Sequence, residues 1–196
     1  MLKKKEIIFR EILTQAIGKK ETRFTQLALS KKFGFSLSTV NNAIKPIERI
    51  GAIEKHPRSF VLVDTKKLLL FWASVRNIKK DITYATRSDM PIMKIEGSMP
   101  HGAMFSAYSG YRLLFKDAPA DYSEVYVYAD EEALKEIKQR FPPKPGPPNI
   151  IVLVRDPYLE NMPIVPTPQI YADLWNIRGW YAKEYLDSLD RRFSLH

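Results

Sequence analysis

Apolar residues recur three and four positions apart over residues 5 to 17, where Ile8, Phe9, Ile12, Leu13, Ala16 and Ile17 make one stripe. That period predicts an amphipathic helix, ended by Gly18. A second, shorter helix fits Gln26 to Phe33, with Thr25 placed to cap it, Leu29 and Phe33 one turn apart, and Gly34 able to supply a left-handed exit. Ser36 then stands where a third helix needs its N-cap, and Val40, Ala43, Ile44 and Ile47 mark the buried face of residues 37 to 50. Pro46 lies inside that run, where it removes a backbone donor and predicts a bend. After Gly51 the pattern shortens to two strands, Ala52 to Lys55 and Phe60 to Val63, joined by a hairpin tip His56-Pro57-Arg58-Ser59.

Residues 66 to 80 are apolar around most of a helical circumference, so this helix is expected to be buried on more than one side, between domains or against a second subunit. Beyond residue 90 the period changes. A short strand is expected at Ile92 to Glu96, a helix at His101 to Phe115, a strand at Glu124 to Ala129, a helix at Asp130 to Phe141 and a buried strand at Ile150 to Arg155. Pro142-Pro143-Lys144-Pro145-Gly146-Pro147-Pro148 reads as a stiff surface connection, and the last 30 residues are again helical. The expected architecture is α/β (α+β), with domains at 1–64 and 90–196 joined by a connecting helix in 65–89.

The order helix, helix, turn, helix, basic hairpin over residues 5 to 64 resembles a winged helix-turn-helix domain. Leu29-Ser30-Lys31-Lys32-Phe33-Gly34-Phe35-Ser36-Leu37-Ser38-Thr39-Val40, with Ile44, Ile47, Gly51 and Ile53, carries that resemblance. It implies a winged helix-turn-helix followed by a small α/β domain.

Charge sharpens this picture. Residues 1–65 hold 13 Lys and Arg against 6 Asp and Glu, or +7 of the chain's net +9. Such a segment favours a polyanion, because each phosphate neutralised releases condensed counterions. At 100° per residue, the face of the third helix opposite its apolar stripe carries Ser38, Asn41, Asn42, Lys45 and Arg49, with no carboxylate expected at its centre. Asn can pair with adenine edges, Ser with bases or phosphate, and the cations with phosphate or guanine. Ser36 and Thr39 at the helix entry, and Lys55, His56, Arg58 and Ser59 on the hairpin, complete the candidate DNA-binding set. Lys3, Lys4 and Lys5 can add backbone contacts or simply solubilise the end of the chain.

Catalytic chemistry finds little support. Without cysteine there is no disulfide, thiolate metal site or cysteine nucleophile, and a reducing, cytoplasmic setting is expected. No apolar run reaches the roughly 18 residues of a membrane helix. His56, His101 and His196 are too dispersed for a metal site, and His101 near Ser98 or Asp117 is the weakest kind of catalytic pair. Gly97-Ser98 resembles the opening of a nucleotidyltransferase motif, but the aspartate pair that would hold magnesium does not follow. Asp117, Asp121, Asp130, Asp156 and Asp173 are scattered, and each is expected to serve a turn or helix cap. No enzymatic activity, cofactor or metal is therefore expected.

The second half is instead rich in Tyr and Trp, side chains enriched at recognition surfaces. Gln169-Ile170-Tyr171-Ala172-Asp173-Leu174-Trp175, and Trp180-Tyr181-Ala182-Lys183-Glu184-Tyr185-Leu186 after Gly179, resemble the end of the C-terminal domain of AbiEi-like transcriptional regulators, the antitoxins of abortive-infection systems. That resemblance implies promoter autoregulation and a toxin-like protein partner; a stand-alone regulator on the same two domains is the alternative. The composition suits a thermophilic source. The reading is a regulator of double-stranded DNA, acting as a homodimer on half-sites about one helical turn apart. The alternatives are a nucleic-acid-processing, nucleotidyltransferase-like enzyme that uses the winged helix to deliver substrate, and a winged-helix protein-interaction module of a larger assembly.

Overall fold

A computed structural model describes residues 2–159 and 162–193. The chain is of the α/β (α+β) class and groups into two compact units, Leu2–Arg76 with residues 189–193, and Asn77–Ser188. Among the described residues no helix is long and apolar enough to cross a membrane.

The first unit runs α1 (Lys4–Lys19), β1 (Arg23–Phe24), α2 (Gln26–Phe33), α3 (Leu37–Arg49), β2 (Ile53–Lys55), β3 (Phe60–Leu62) and α4 (Thr65–Val75). The lysines at the start are ordered: Lys3 is the N-cap of α1, and Lys4 places its ammonium 5.3 Å from the Phe35 ring. Thr25 caps α2 through the Ala28 amide at 3.0 Å, and Gly34 leaves the helix at φ 63°, the left-handed region that a residue without Cβ enters at no steric cost. Ser36 caps α3 through the Thr39 amide at 3.1 Å. Val40, Ala43, Ile44 and Ile47 are all buried, and α3 packs on α1.

Pro46 does not stop α3, which runs on to Arg49. The carbonyl deprived of its donor is that of Asn42, on the exposed face, where water can replace the lost bond. Three antiparallel strands pair in the order β1-β3-β2, with Phe24 opposite Phe60 and the two rings stacked at 5.6 Å. The 65–89 segment holds more than a helix. Helix α4 ends at Val75 and groups with the first unit, a 3-10 turn follows at Ile78–Asp81, and Ile82–Thr86 is a strand, β4. Leu68, Leu69, Trp72 and Ala73 are the buried residues of α4; Phe71 meets Phe9 edge-on, and the Trp72 indole donates to the buried Glu6 at 3.4 Å.

The second unit is built on a sheet of order β4-β7-β6-β5, where β5 is Met104–Ser106, β6 Val125–Ala129 and β7 Ile150–Val154. β6 and β7 are parallel; the two edge strands are antiparallel to their neighbours. Helix α7 (Glu131–Arg140) joins β6 to β7, capped by Asp130 through the Ala133 amide. One core gathers Val125, Val127, Ile150 and Val152 of the sheet with Ile95, Ala133 and Ile137 of the helices. Ile92–Gly97, expected as a strand, is a helix, α5, entered from Pro91. Its Ile92 and Ile95 share a face at helical spacing, which a six-residue apolar run does not distinguish from a strand.

The helix expected from His101 starts later. His101 and Gly102 form a turn, β5 follows, and only at Ala107, with φ 49°, does the chain bend into α6 (Ala107–Phe115). The chain closes with α8 (Thr167–Trp175) and α9 (Ala182–Phe193).

Asp173 is not a cap. It lies inside α8, fully buried, and one carboxylate oxygen accepts from Ser106 Oγ at 2.7 Å and from the Tyr128 hydroxyl at 2.8 Å. This joins α8 to β5 and β6 by charge-assisted bonds, the stronger class of hydrogen bond. Asp156 is also buried, and closes a tight turn through the Tyr158 amide at 3.1 Å.

Two stability tests follow from these bonds. Asp173→Ala strands two buried hydroxyls at about 1–3 kcal/mol each, and equilibrium urea unfolding followed by tyrosine near-UV dichroism should show a loss of that order. Asp64 caps α4, and the bond from the Lys67 amide, 2.8 Å long, leads the causes that hold its carboxyl below the ordinary 3.8. A depressed folded value means that the cap's contribution is complete above the ordinary value and lost as pH falls through the depressed one. Asp64→Ala should therefore narrow its stability gap to the parent chain on acidification from about pH 6 to about pH 3, measured as urea midpoints.

Candidate nucleic-acid interface

The buried stripe of α3 decides which side chains turn outward. With Val40, Ala43, Ile44 and Ile47 held inside, Ser38, Asn42, Lys45 and Arg49 are exposed and Asn41 is half-buried. None of Ser38, Asn42, Lys45 and Arg49 has a side-chain partner among the described residues, so their donors and acceptors face solvent. Ser36 and Thr39 differ. The Ser36 hydroxyl accepts from the Thr39 amide and lies 2.9 Å from the Thr39 hydroxyl, so both are committed to shaping the helix entry. The structure adds Leu37, 51% exposed at the first turn of α3, and Leu27, 54% exposed on α2. Both break the rule of apolar residues inside, and the outward place of Leu37 on α3 was readable from the helical period.

The hairpin between β2 and β3 is closed by the His56 amide donating to the Ser59 carbonyl at 2.8 Å. His56 and Arg58 are exposed at its tip, with no partner among the described residues. Ser59 is occupied: its hydroxyl accepts from Arg23 at 3.0 Å, fastening the tip to β1. Lys55 is occupied as well. Its ammonium donates to Asn41 Oδ1 at 3.3 Å and lies 3.4 Å from Glu48.

That bridge corrects the charge map of α3. Glu48 is seven residues after Asn41, which at 100° per residue brings it to within 20° of the same line. A carboxylate therefore flanks the polar face, one turn from Lys45 and paired to Lys55. The bridge ties the hairpin to α3, so the two cationic surfaces are held in one relative position.

This arrangement can do two things chemically. Lys45, Arg49 and Arg58 are solvated cations able to neutralise phosphate, while Ser38 and Asn42 offer the short donor and acceptor pairs that read base edges. Among the described residues no three His, Asp or Glu side chains converge as a metal ion requires. His101 is exposed in its turn and bonds neither Ser98 nor Asp117, and His196 lies outside the described residues.

No family model, no curated protein and no solved structure matches the chain.

Removing the flanking carboxylate tests the map. Glu48→Gln frees one cation, and the salt concentration needed to elute the chain from immobilised heparin should rise. Elution at the parent's salt would show that Lys55 stays withdrawn.

Proposed function

We propose that the chain is a double-stranded DNA-binding transcriptional regulator whose first unit is a winged helix-turn-helix, with α3 in a major groove and the β2–β3 hairpin as the wing. The observation that carries this reading is the solvent face of α3. Five positions fixed by one buried stripe present amide, hydroxyl and cationic groups, braced to a basic hairpin through Asn41, Lys55 and Glu48. The element order α1-β1-α2-α3-β2-β3, with β3 between β1 and β2, agrees with it, as does a +7 charge on residues 1–65.

In this reading Ser38 and Asn42 contact base edges, Lys45 contacts guanine or phosphate, and Arg49, Arg58 and His56 lie along the phosphates. Leu37 supplies an apolar contact of the kind a thymine methyl accepts. Lys55 acts indirectly by holding the wing in place, and Ser36 and Thr39 by setting the pitch of the α3 entry. A single α3 covers one half-site, so two copies on a pseudo-palindrome give the specificity of a regulator.

The test is a binding series on selected duplexes. The triple variant Asn42→Ala, Lys45→Ala, Arg58→Ala should lose specific duplex binding while keeping the parent's unfolding midpoint. Lys45→Ala alone should lower the slope of log affinity against log salt by about 1. Unchanged affinity in the folded triple variant would move the interface elsewhere.

A further inference from the structure

The second unit carries a feature that the α3 interface does not use. Trp180 is 79% exposed and Trp175 46%, at the two ends of the segment between α8 and α9. An indole is a costly group to leave in water, and two on one short segment mark a contact surface. Both rings are supported from beneath. Trp175 lies nearly parallel to the buried Tyr171, at 6.4 Å and 19°, and Trp180 meets Tyr181 edge-on at 5.5 Å and 86°.

Tyr181 is itself fixed, because its hydroxyl donates to Glu124 and its ring packs 5.0 Å from that of the buried Tyr108. Gly179 permits this closeness: a Cβ there would come within 3.0 Å of the Tyr108 hydroxyl. Trp175 thus rests on a buried tyrosine and Trp180 on a fixed one, which lowers the entropy lost when something stacks on them.

Charge selects the occupant. Leu174 to Lys183 contains Arg178 and Lys183 and no carboxylate. Both cations are exposed, and neither has a partner among the described residues. Open indole faces interleaved with free cations are the two components by which proteins hold unpaired nucleotides: bases stack on the rings, and phosphates follow the charges. Paired bases cannot use such faces, since theirs are already stacked within the duplex.

We propose that the Trp175–Lys183 segment is a stacking platform for single-stranded polynucleotide, separate from the α3 interface. Trp180 and Trp175 each hold a base, and Arg178 and Lys183 hold the intervening phosphates. The third tryptophan, Trp72, is fully buried, so fluorescence quenching by a stacked base reports Trp175 and Trp180.

The experiment titrates the full chain with a 20-nucleotide oligo-dU, an oligo-rU of the same length and a blunt duplex at low salt. Saturable quenching by either single strand, weakened by added salt and absent with the duplex, is the expected result. A response confined to one of the two strands identifies the sugar preferred. Trp180→Ala should weaken binding by about ten-fold, Trp180→Phe should retain part of it, and Lys45→Ala should leave it unchanged. Three results would overturn the proposal: no quenching by either strand, equal binding of a fluorescein-labelled single strand, read by anisotropy, to the parent and to a folded Trp175→Ala, Trp180→Ala double variant, or concentration-dependent self-association that Trp180→Ala abolishes. The last would mean that a second copy of the chain covers the indoles.

Discussion

Burial of four apolar side chains, Val40, Ala43, Ile44 and Ile47, is the constraint on which the candidate surface of α3 depends. The three branched side chains each contribute about 2 kcal/mol by leaving water. A rotation of α3 that exposed them would cost more than any bond on the outer face could return. Orientation of the polar face is therefore a consequence of core packing. The caps at Thr25 and Ser36 act on the same surface from its ends, by deciding where α2 and α3 begin and how the turn between them closes.

A second level of control is electrostatic. Lys55 stands between Asn41 and Glu48, and Arg23 holds Ser59. These exposed contacts are weak individually, on the order of 1 kcal/mol or less. They still select one hairpin position, because the hairpin has only three residues of strand on each side to hold it. Among the described residues, Lys45 and Arg49 of α3 and Arg58 of the hairpin keep no partner and are available to an outside anion.

The second unit is organised by polar groups it buries deliberately. Asp173 receives the Ser106 and Tyr128 hydroxyls, Tyr111 shares a 2.6 Å bond with Ser188, and Glu96 is bonded by both Arg112 and Tyr122. Burial pushes the Tyr122 phenol up to about 12, and its bond to Glu96 acts in the same direction. The Tyr122 phenol therefore remains a neutral donor throughout the ordinary pH range. Tyr108, Tyr126 and Tyr185 are raised further for the same leading reason, desolvation. The aromatic richness of this half is thus mainly internal, while Trp175, Trp180 and Tyr158 are exposed.

What the sequence by itself determined was local. Thr25, Gly34, Ser36 and Asp130 mark their helix ends because capping involves residues three or four apart, and the period of Val40 to Ile47 names the inner face of α3 without any partner in view. Leu37 and Glu48 were open to the same angular reasoning. The strands β4 and β5 and the helix α5 were not, since runs of three to six residues take their state from what they pack against. Only the tertiary structure decided that Asp173 meets Ser106, 67 positions away, and that Lys55 crosses to Glu48 while Arg58 stays open. Pairings between distant segments carry no periodic trace along the chain; they exist once the hydrophobic faces have chosen their neighbours.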